Sequence, residues 1–128
     1  MLKRHVARGE ASFSHPTPAG RRELAAVVRS WRDAAAQGSA LAQHNLGCLC
    51  EKGRGVAQSD AAAAKWHRKA AGRGLAAAQF ALGYMCEHGR AGKGGGDSAV
   101  QWYRKAAVQG DAKAQCNLGV LYDKVMGS

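Results

Sequence analysis

Small and apolar side chains recur at helical spacing in the middle of the chain. Ala42, Leu46 and Cys50 are four residues apart, so they lie on one face of a helix that is predicted to run from about residue 41 to residue 52. Gly53 follows and is expected to end this helix, because glycine tolerates the left-handed backbone conformation that closes many helices. The pattern predicts an amphipathic helix followed by a turn.

This pattern returns every 36 residues, which is typical of a repeat protein. Three segments align without a gap and share several alanines, a glutamine, a leucine and two glycines: AAAQGSALAQHNLGCLC (34–50), AAGRGLAAAQFALGYMC (70–86) and AAVQGDAKAQCNLGVLY (106–122). A second shared block precedes two of them, WHRKAA at 66–71 and WYRKAA at 102–107. Each 36-residue unit therefore reads as a first helix and a second helix joined by a glycine-containing loop.

Six helices are predicted, and the two types alternate along the chain. A lone second helix comes first, and the predicted segments are 21–37, 41–52, 61–73, 76–88, 99–109 and 112–122 or beyond. Ser59 or Asp60 is the expected cap of the third helix, since both side chains accept backbone hydrogen bonds. The fold class is all-α, a solenoid of about two and a half helix-turn-helix units over residues 21–126. A basic leader at 1–20 precedes it and is expected to be disordered.

Gly47, Gly83 and Gly119 share one repeat position inside the first helices. A glycine there costs about 0.5–1 kcal/mol of stability relative to alanine. Its recurrence therefore predicts close contact with a neighbouring helix at that position.

The four cysteines fall at repeat positions that hold core-type or half-buried residues in other units, and we expect packed, reduced thiols. One set of residues has the side chains that commonly bind zinc: Cys48, Cys50, Cys86 and His88. Helix residues two apart point about 200° apart, so this set predicts no zinc site. The loop GRAGKGGGD (89–97) lacks the phosphate-loop spacing, and no nucleophile signature surrounds a cysteine. The sequence predicts no catalytic residue, no metal site and no cofactor.

The combined motifs resemble the Sel-one-like repeat family, which is related to tetratricopeptide repeats. The resemblance rests on AQHNLGCLCEKGRGV (42–56), WHRKAAGRG (66–74), AQFALGYMCEHGR (78–90), WYRKAAVQG (102–110) and AQCNLGVLY (114–122). It implies a right-handed superhelix that acts as an adaptor between proteins and is not an enzyme. Some bacterial members are cysteine-rich and linked to β-lactam binding, so a β-lactam-binding or hydrolase-like activity is the first alternative.

The chain is strongly basic, with a formal net charge of +10 and a pI of about 10.0. Five of the cations follow the repeat and form a set that we call the basic row: Arg32, Arg68, Lys69, Arg104 and Lys105. Stacked units would align them, and an acidic protein segment could bind along them through charge-assisted hydrogen bonds. The competing interpretation is a solvated face, since cations near a helix C-terminus are also favoured locally.

The function expected from the sequence is non-catalytic protein–protein interaction, with an acidic segment as the partner. Nonspecific nucleic-acid binding through the basic surface is the second alternative. Self-association through the last helix is a further expectation. No apolar run is long enough to span a membrane, and no signal-peptide core precedes the cysteines, so a cytoplasmic location is expected. Organelle targeting by the basic leader is the competing interpretation.

Overall fold

The computed structural model describes residues 18–91 and 98–126, and the regular secondary structure within these ranges is entirely α-helical. The helices follow one another in the predicted alternation: α1 (Pro18–Ala36), α2 (Ala40–Lys52), α3 (Asp60–Gly72), α4 (Ala76–Glu87), α5 (Ala99–Val108) and α6 (Ala112–Met126). The all-α solenoid of helical repeats is confirmed. The predicted leader lies outside the described residues up to position 17, and so does most of the predicted glycine loop.

Helix α1 begins at Pro18, three residues before the predicted start. Proline suits the first position of a helix, because its φ angle is already helical and the N–H it lacks would have no partner there.

A repeated glycine makes the turn from each second helix into the next first helix. Gly38, Gly74 and Gly110 have φ angles of 100°, 97° and 96°, a region that favours glycine. The backbone therefore reverses in the same way at each 36-residue step.

Serine side chains cap the starts of α2 and α3. Ser39 Oγ accepts a hydrogen bond from the Ala42 N–H at 3.2 Å, and Ser59 Oγ accepts one from the Ala62 N–H at 3.1 Å. Of the two residues predicted to cap α3, Ser59 is the one that does so, and Asp60 becomes the first residue of the helix.

The core is built mainly from small residues, and the extensive helix contacts are those between helices consecutive in sequence. Ala63, Ala70 and Ala78 are fully buried, and Leu82 and Met85 add bulk at the centre. Alanine lets helix axes approach closely, and both alanines of the pair Ala70 and Ala71 are buried. None of the described helices is long and apolar enough to cross a membrane.

Two of the three interior glycines make the predicted close contact. A Cβ atom on Gly47 would lie 2.7 Å from the His67 ring, and one on Gly83 would lie 2.8 Å from the Tyr103 ring. Nothing described in the structure lies within 4 Å of the same point on Gly119. The prediction is therefore wrong for Gly119, because no second helix within the described chain packs over that position.

A repeated glutamine ties each first helix to the second helix before it. The side-chain N–H of Gln43 donates to the Ala35 carbonyl at 3.1 Å, and that of Gln79 donates to the Ala71 carbonyl at 3.2 Å. Gln115 continues the series at the start of α6. The shared glutamine of the sequence motif is thus a hydrogen-bonded link between units.

All four cysteines are free thiols, as predicted. Cys50 is buried, while Cys48 and Cys86 are half-buried, in agreement with their core-type repeat positions. Cys116 is exposed, so the prediction of a packed thiol is wrong there. Its repeat position on α6 has no further helix of the described chain against it.

Candidate functional site

The basic row lies on the second helices α1, α3 and α5. Arg68 is half-buried, whereas the other four members are exposed: Arg32, Lys69, Arg104 and Lys105. Because each second helix has the same place in its unit, the cations recur at the same step as the repeat.

Each lysine of the basic row stands over a tryptophan of its own helix. Lys69 Nζ lies 5.1 Å from the centre of the Trp66 ring, and Lys105 Nζ lies 4.6 Å from the centre of the Trp102 ring. An ammonium over an indole face is attracted by the ring electrons. Both indoles are half-buried and pack against the core, so they hold the two ammonium groups at equivalent places.

Two arginines of the basic row, Arg32 and Arg104, lie near the first helix that follows them. Arg104 donates a hydrogen bond to the Tyr122 hydroxyl on α6. Burial raises the pKa of the Cys50 thiol on α2, and the positive charge of Arg32 partly opposes that rise. Cys50 and Tyr122 occupy the same repeat position, so these arginines also support the contact between neighbouring helices.

A cavity of about 470 Å³ opens beside the first lysine of the row, and we call it the α1–α3 cavity. Its lining comes from α1, α2, α3 and the adjoining turns: Ala35, Ala36, Gly38, Gln43, Trp66, Lys69 and Arg73. The Arg73 guanidinium lies over Gly38. Gln43 Oε1 is buried and has no hydrogen-bond partner within the described part of the chain. The cavity thus combines two cations, an indole face and an unused acceptor.

A second cavity of similar volume runs along the first helices, and we call it the first-helix groove. Its lining residues are His44, Glu51, Ala77, Phe80, Ala81, Tyr84, Asp111, Ala112 and Lys113. Phe80 and Tyr84 give the groove aromatic lining, and alanines supply the small side chains. Two acidic residues and one lysine also line it, so the groove contains charges of both signs. This groove has no counterpart among the residues predicted to bind a partner.

A cluster of histidines and a cysteine lies where α2 meets α3. His44 Nδ1 and His67 Nδ1 are 3.1 Å apart, and the two rings are tilted by 47° with their centres 4.9 Å apart. Cys48 Sγ lies 3.7 Å from His44 Nε2, one turn along α2. His67 is fully buried, while the other two are half-buried. We call these three residues the histidine–cysteine cluster.

Glu51 fixes the orientation of the buried ring. Its Oε1 lies 2.9 Å from His67 Nε2, and its Oε2 accepts a hydrogen bond from Arg90 at 3.0 Å. The hydrogen bond from His67 is the main reason that the pKa of Glu51 is lowered, and Arg90 adds to it. The ionised carboxylate can only accept, so His67 Nε2 carries a proton toward it. The Nδ1 lone pair of a neutral His67 then faces His44.

His44 is neutral at physiological pH. Burial lowers its pKa to about 4, and the neighbouring His67 contributes in the same direction. Burial also raises the pKa of the Cys48 thiol, which argues against Cys48 acting as a reactive thiolate.

Neither His44 nor His67 is among the residues that the sequence predicts to bind a partner or a metal. The helix pattern places each of them correctly on its own helix, but it does not show that α2 and α3 bring their side chains together. The available signal was the repeat alignment, in which His44 matches Phe80 and His67 matches Tyr103. Two ring positions of one unit change to histidine together.

The fold and its repeated contacts define a helical repeat protein of the solenoid class. The chain belongs to the Sel1 repeat family, whose sequence profile matches residues 40–75, 76–111 and 112–124. Proteins of this family are generally non-catalytic modules for protein–protein interaction.

Two solved structures are similar over most of the chain. One is a Sel1 repeat protein from Oxalobacter formigenes, with 40% sequence identity and a TM-score of 0.71 over 78% of this chain and 41% of that one. The other is c5321, a protective antigen of uropathogenic Escherichia coli strains with an SLR fold. It has 34% identity and a TM-score of 0.74, over 88% of this chain and 24% of that one. This chain therefore spans less than half the length of either protein. A comparison with curated proteins finds no match.

Proposed function

We propose that the chain is a non-catalytic protein-binding module that holds an acidic segment of a partner along the basic row. Membership of the Sel1 repeat family supports the general role. The net charge of +10 supports an acidic partner, because it attracts negative surfaces over a long range. Exposure of four of the five cations of the row supports their availability for contact.

The observation that carries the proposal is the α1–α3 cavity at one end of the row. Lys69 and Arg73 supply positive charge there, and Trp66 supplies a flat apolar wall. A carboxylate would bind the two cations through charge-assisted hydrogen bonds, which are the stronger kind. Gln43 lines the same cavity, and its buried Oε1 has no hydrogen-bond donor among the described residues.

The equivalent place in the next unit is already filled by the chain itself. Gln109 holds the repeat position of Arg73, and its side-chain N–H groups donate to Gln79 Oε1 and to the Gly74 carbonyl, both at 2.9 Å. Gln79 Oε1 therefore has a hydrogen-bond donor, whereas Gln43 Oε1 has none among the described residues. The contrast supports the α1–α3 cavity as the place where a foreign segment is anchored.

Charge reversal on the row provides the test. The probe is a fluorescein-labelled poly-glutamate peptide, and binding is followed by fluorescence anisotropy with wild type, Lys69→Glu/Lys105→Glu and Lys52→Glu/Lys65→Glu. Both double variants lower the net charge by four, since each Lys→Glu change removes two units, and all four lysines are exposed. The first pair lies on the basic row and the second pair lies off it.

The row variant is expected to lose about tenfold or more in affinity, which corresponds to about 1.4 kcal/mol. The control variant is expected to lose far less. Equal losses in the two variants would contradict the proposal, because total charge alone would then explain binding. Tighter binding of a DNA duplex than of the peptide, with a steep salt dependence, would favour the nucleic-acid alternative instead.

A further inference from the structure

We propose that the histidine–cysteine cluster is a binding site for a tetrahedral divalent ion of the zinc type, with His44, Cys48 and His67 as ligands. One donor atom from each of the three residues lies within 4.8 Å of the donor atoms of the other two. Two imidazoles and a thiolate form a ligand set that zinc accepts, with water in the fourth position. His44 and Cys48 are four residues apart and share one face of α2, unlike Cys48 and Cys50 of the set that the sequence excludes.

The distances in the cluster are close to those that the ion requires. Tetrahedral zinc with bonds of about 2.0–2.1 Å to nitrogen and about 2.3 Å to sulfur separates two nitrogens by about 3.3 Å, and nitrogen from sulfur by about 3.6 Å. The two Nδ1 atoms are 3.1 Å apart, and Cys48 Sγ lies 3.7 Å from a His44 nitrogen. His44 uses a different nitrogen for each contact, so a rotation of its half-buried ring is needed to bring one nitrogen to the ion.

The surroundings of His67 match those of a metal-bound histidine. Such a ring usually donates its other N–H to a carboxylate, which fixes the tautomer and the ring orientation. Glu51 accepts from His67 Nε2 at 2.9 Å and is itself held by Arg90. The other nitrogen, Nδ1, is therefore the one presented to the cluster.

The next unit shows that helix packing at these repeat positions does not require histidine or cysteine. At the matching repeat positions it carries Phe80, Tyr84 and Tyr103 in place of His44, Cys48 and His67. Tyr103 donates to Glu87 at 2.6 Å, just as His67 contacts Glu51 one unit earlier.

The first unit thus keeps the carboxylate, and it has three residues that can ligate a metal where the second unit has three aromatic residues. The first-helix groove gives the ion a route from solvent, since His44 and Glu51 line it.

The test is a titration of the full chain, kept reduced in a buffer that does not chelate metals. Calorimetry with Zn²⁺ is expected to give one ion per chain. Co²⁺ serves as a spectroscopic probe, and it is expected to produce the visible bands of a tetrahedral ion together with a near-ultraviolet thiolate-to-cobalt band. Loss of that thiolate band in Cys48→Ala identifies the sulfur ligand.

The repeat supplies ligand-free variants with residues that the fold already accepts. His44→Phe and His67→Tyr copy the second unit, and each, like Cys48→Ala, is expected to weaken Zn²⁺ binding by about 100-fold or more. Two matched controls remove an exposed histidine or an exposed cysteine elsewhere, His88→Phe and Cys116→Ala, and are expected to bind Zn²⁺ as wild type does. Circular dichroism checks that each variant is folded.

Three results would overturn the proposal. The first is the absence of stoichiometric Zn²⁺ binding by the wild-type chain. The second is binding that survives unchanged in folded Cys48→Ala and His44→Phe, two positions that are only half-buried. The third is loss of binding in the control variants instead of the cluster variants.

Discussion

The contact between Gly83 and Tyr103 gives a sharp test of how the two helices of a unit pack. A Cβ atom added at Gly83 would lie 2.8 Å from Tyr103 Cδ1 and 3.3 Å from the Trp102 Cβ atom. Tyr103 is fully buried and donates to Glu87 at 2.6 Å. Burial and that hydrogen bond raise the pKa of Tyr103 far above its usual range, so the hydroxyl stays protonated and bonded. The ring cannot move aside without breaking this bond.

The change in the free energy of unfolding caused by Gly83→Ala is the sum of two opposing effects. Overpacking a filled site costs about 1–3 kcal/mol, while replacing a glycine inside a helix by alanine returns about 0.5–1 kcal/mol. We expect a net loss of about 1–2 kcal/mol in the free energy of unfolding. The larger side chain of Gly83→Val is expected to cost more than this.

Gly119 is the matched control, because it holds the same repeat position and no atom of the described residues lies within 4 Å of its added Cβ. Gly119→Ala therefore gains helix stability without a clash, and we expect it to stabilise the chain by about 0.5–1 kcal/mol. Urea unfolding followed by circular dichroism separates the two variants, whose midpoints should differ by about 1 M for a domain of this size. Equal shifts in the two variants, or a Gly83→Ala chain more stable than wild type, would refute the close-packing argument.

Two further predictions concern the core and the pH response. Leu82→Ala removes a fully buried side chain and should lower the free energy of unfolding by about 2–5 kcal/mol, whereas Leu41→Ala, at a position 60% exposed, should change it little. A near-zero effect at Leu82 in urea unfolding would contradict its central position. The pKa of His44 is lowered to about 4, so the unfolded chain takes up more protons than the folded chain between pH 6.5 and pH 4. Stability should therefore fall as pH drops through that window, and His44→Phe should flatten this part of the curve. A wild-type curve that rises toward pH 4.5 would contradict the lowered pKa.

The 36-residue periodicity was sufficient to predict the helices and their order. Repeated alanines, leucines and glycines mark the buried face, because every unit must present the same surface to its neighbours. The sequence also pointed to the contacts at Gly47 and Gly83. It could not show that Gly119 lacks a neighbour, since that depends on which helix lies over the position and not on the residue itself.

The candidate sites were less accessible to sequence reasoning. The basic row follows directly from the repeat, but the α1–α3 cavity depends on where Arg73 and Gln43 meet Trp66 in space. The histidine–cysteine cluster joins residues 23 positions apart on two helices. Periodicity predicts which face of a helix is buried. It does not show which polar side chain of the next helix contacts that face.

A nuclear Overhauser measurement tests the central claim most directly, that the first and second helices of each unit make contact at the same repeat positions. The structure predicts strong cross-peaks between the Hα protons of Gly47 and the ring protons of His67, and equally between Gly83 and Tyr103. Observation of both pairs would establish the repeated packing on which the two proposed sites depend. Absence of both pairs in the folded chain would contradict it.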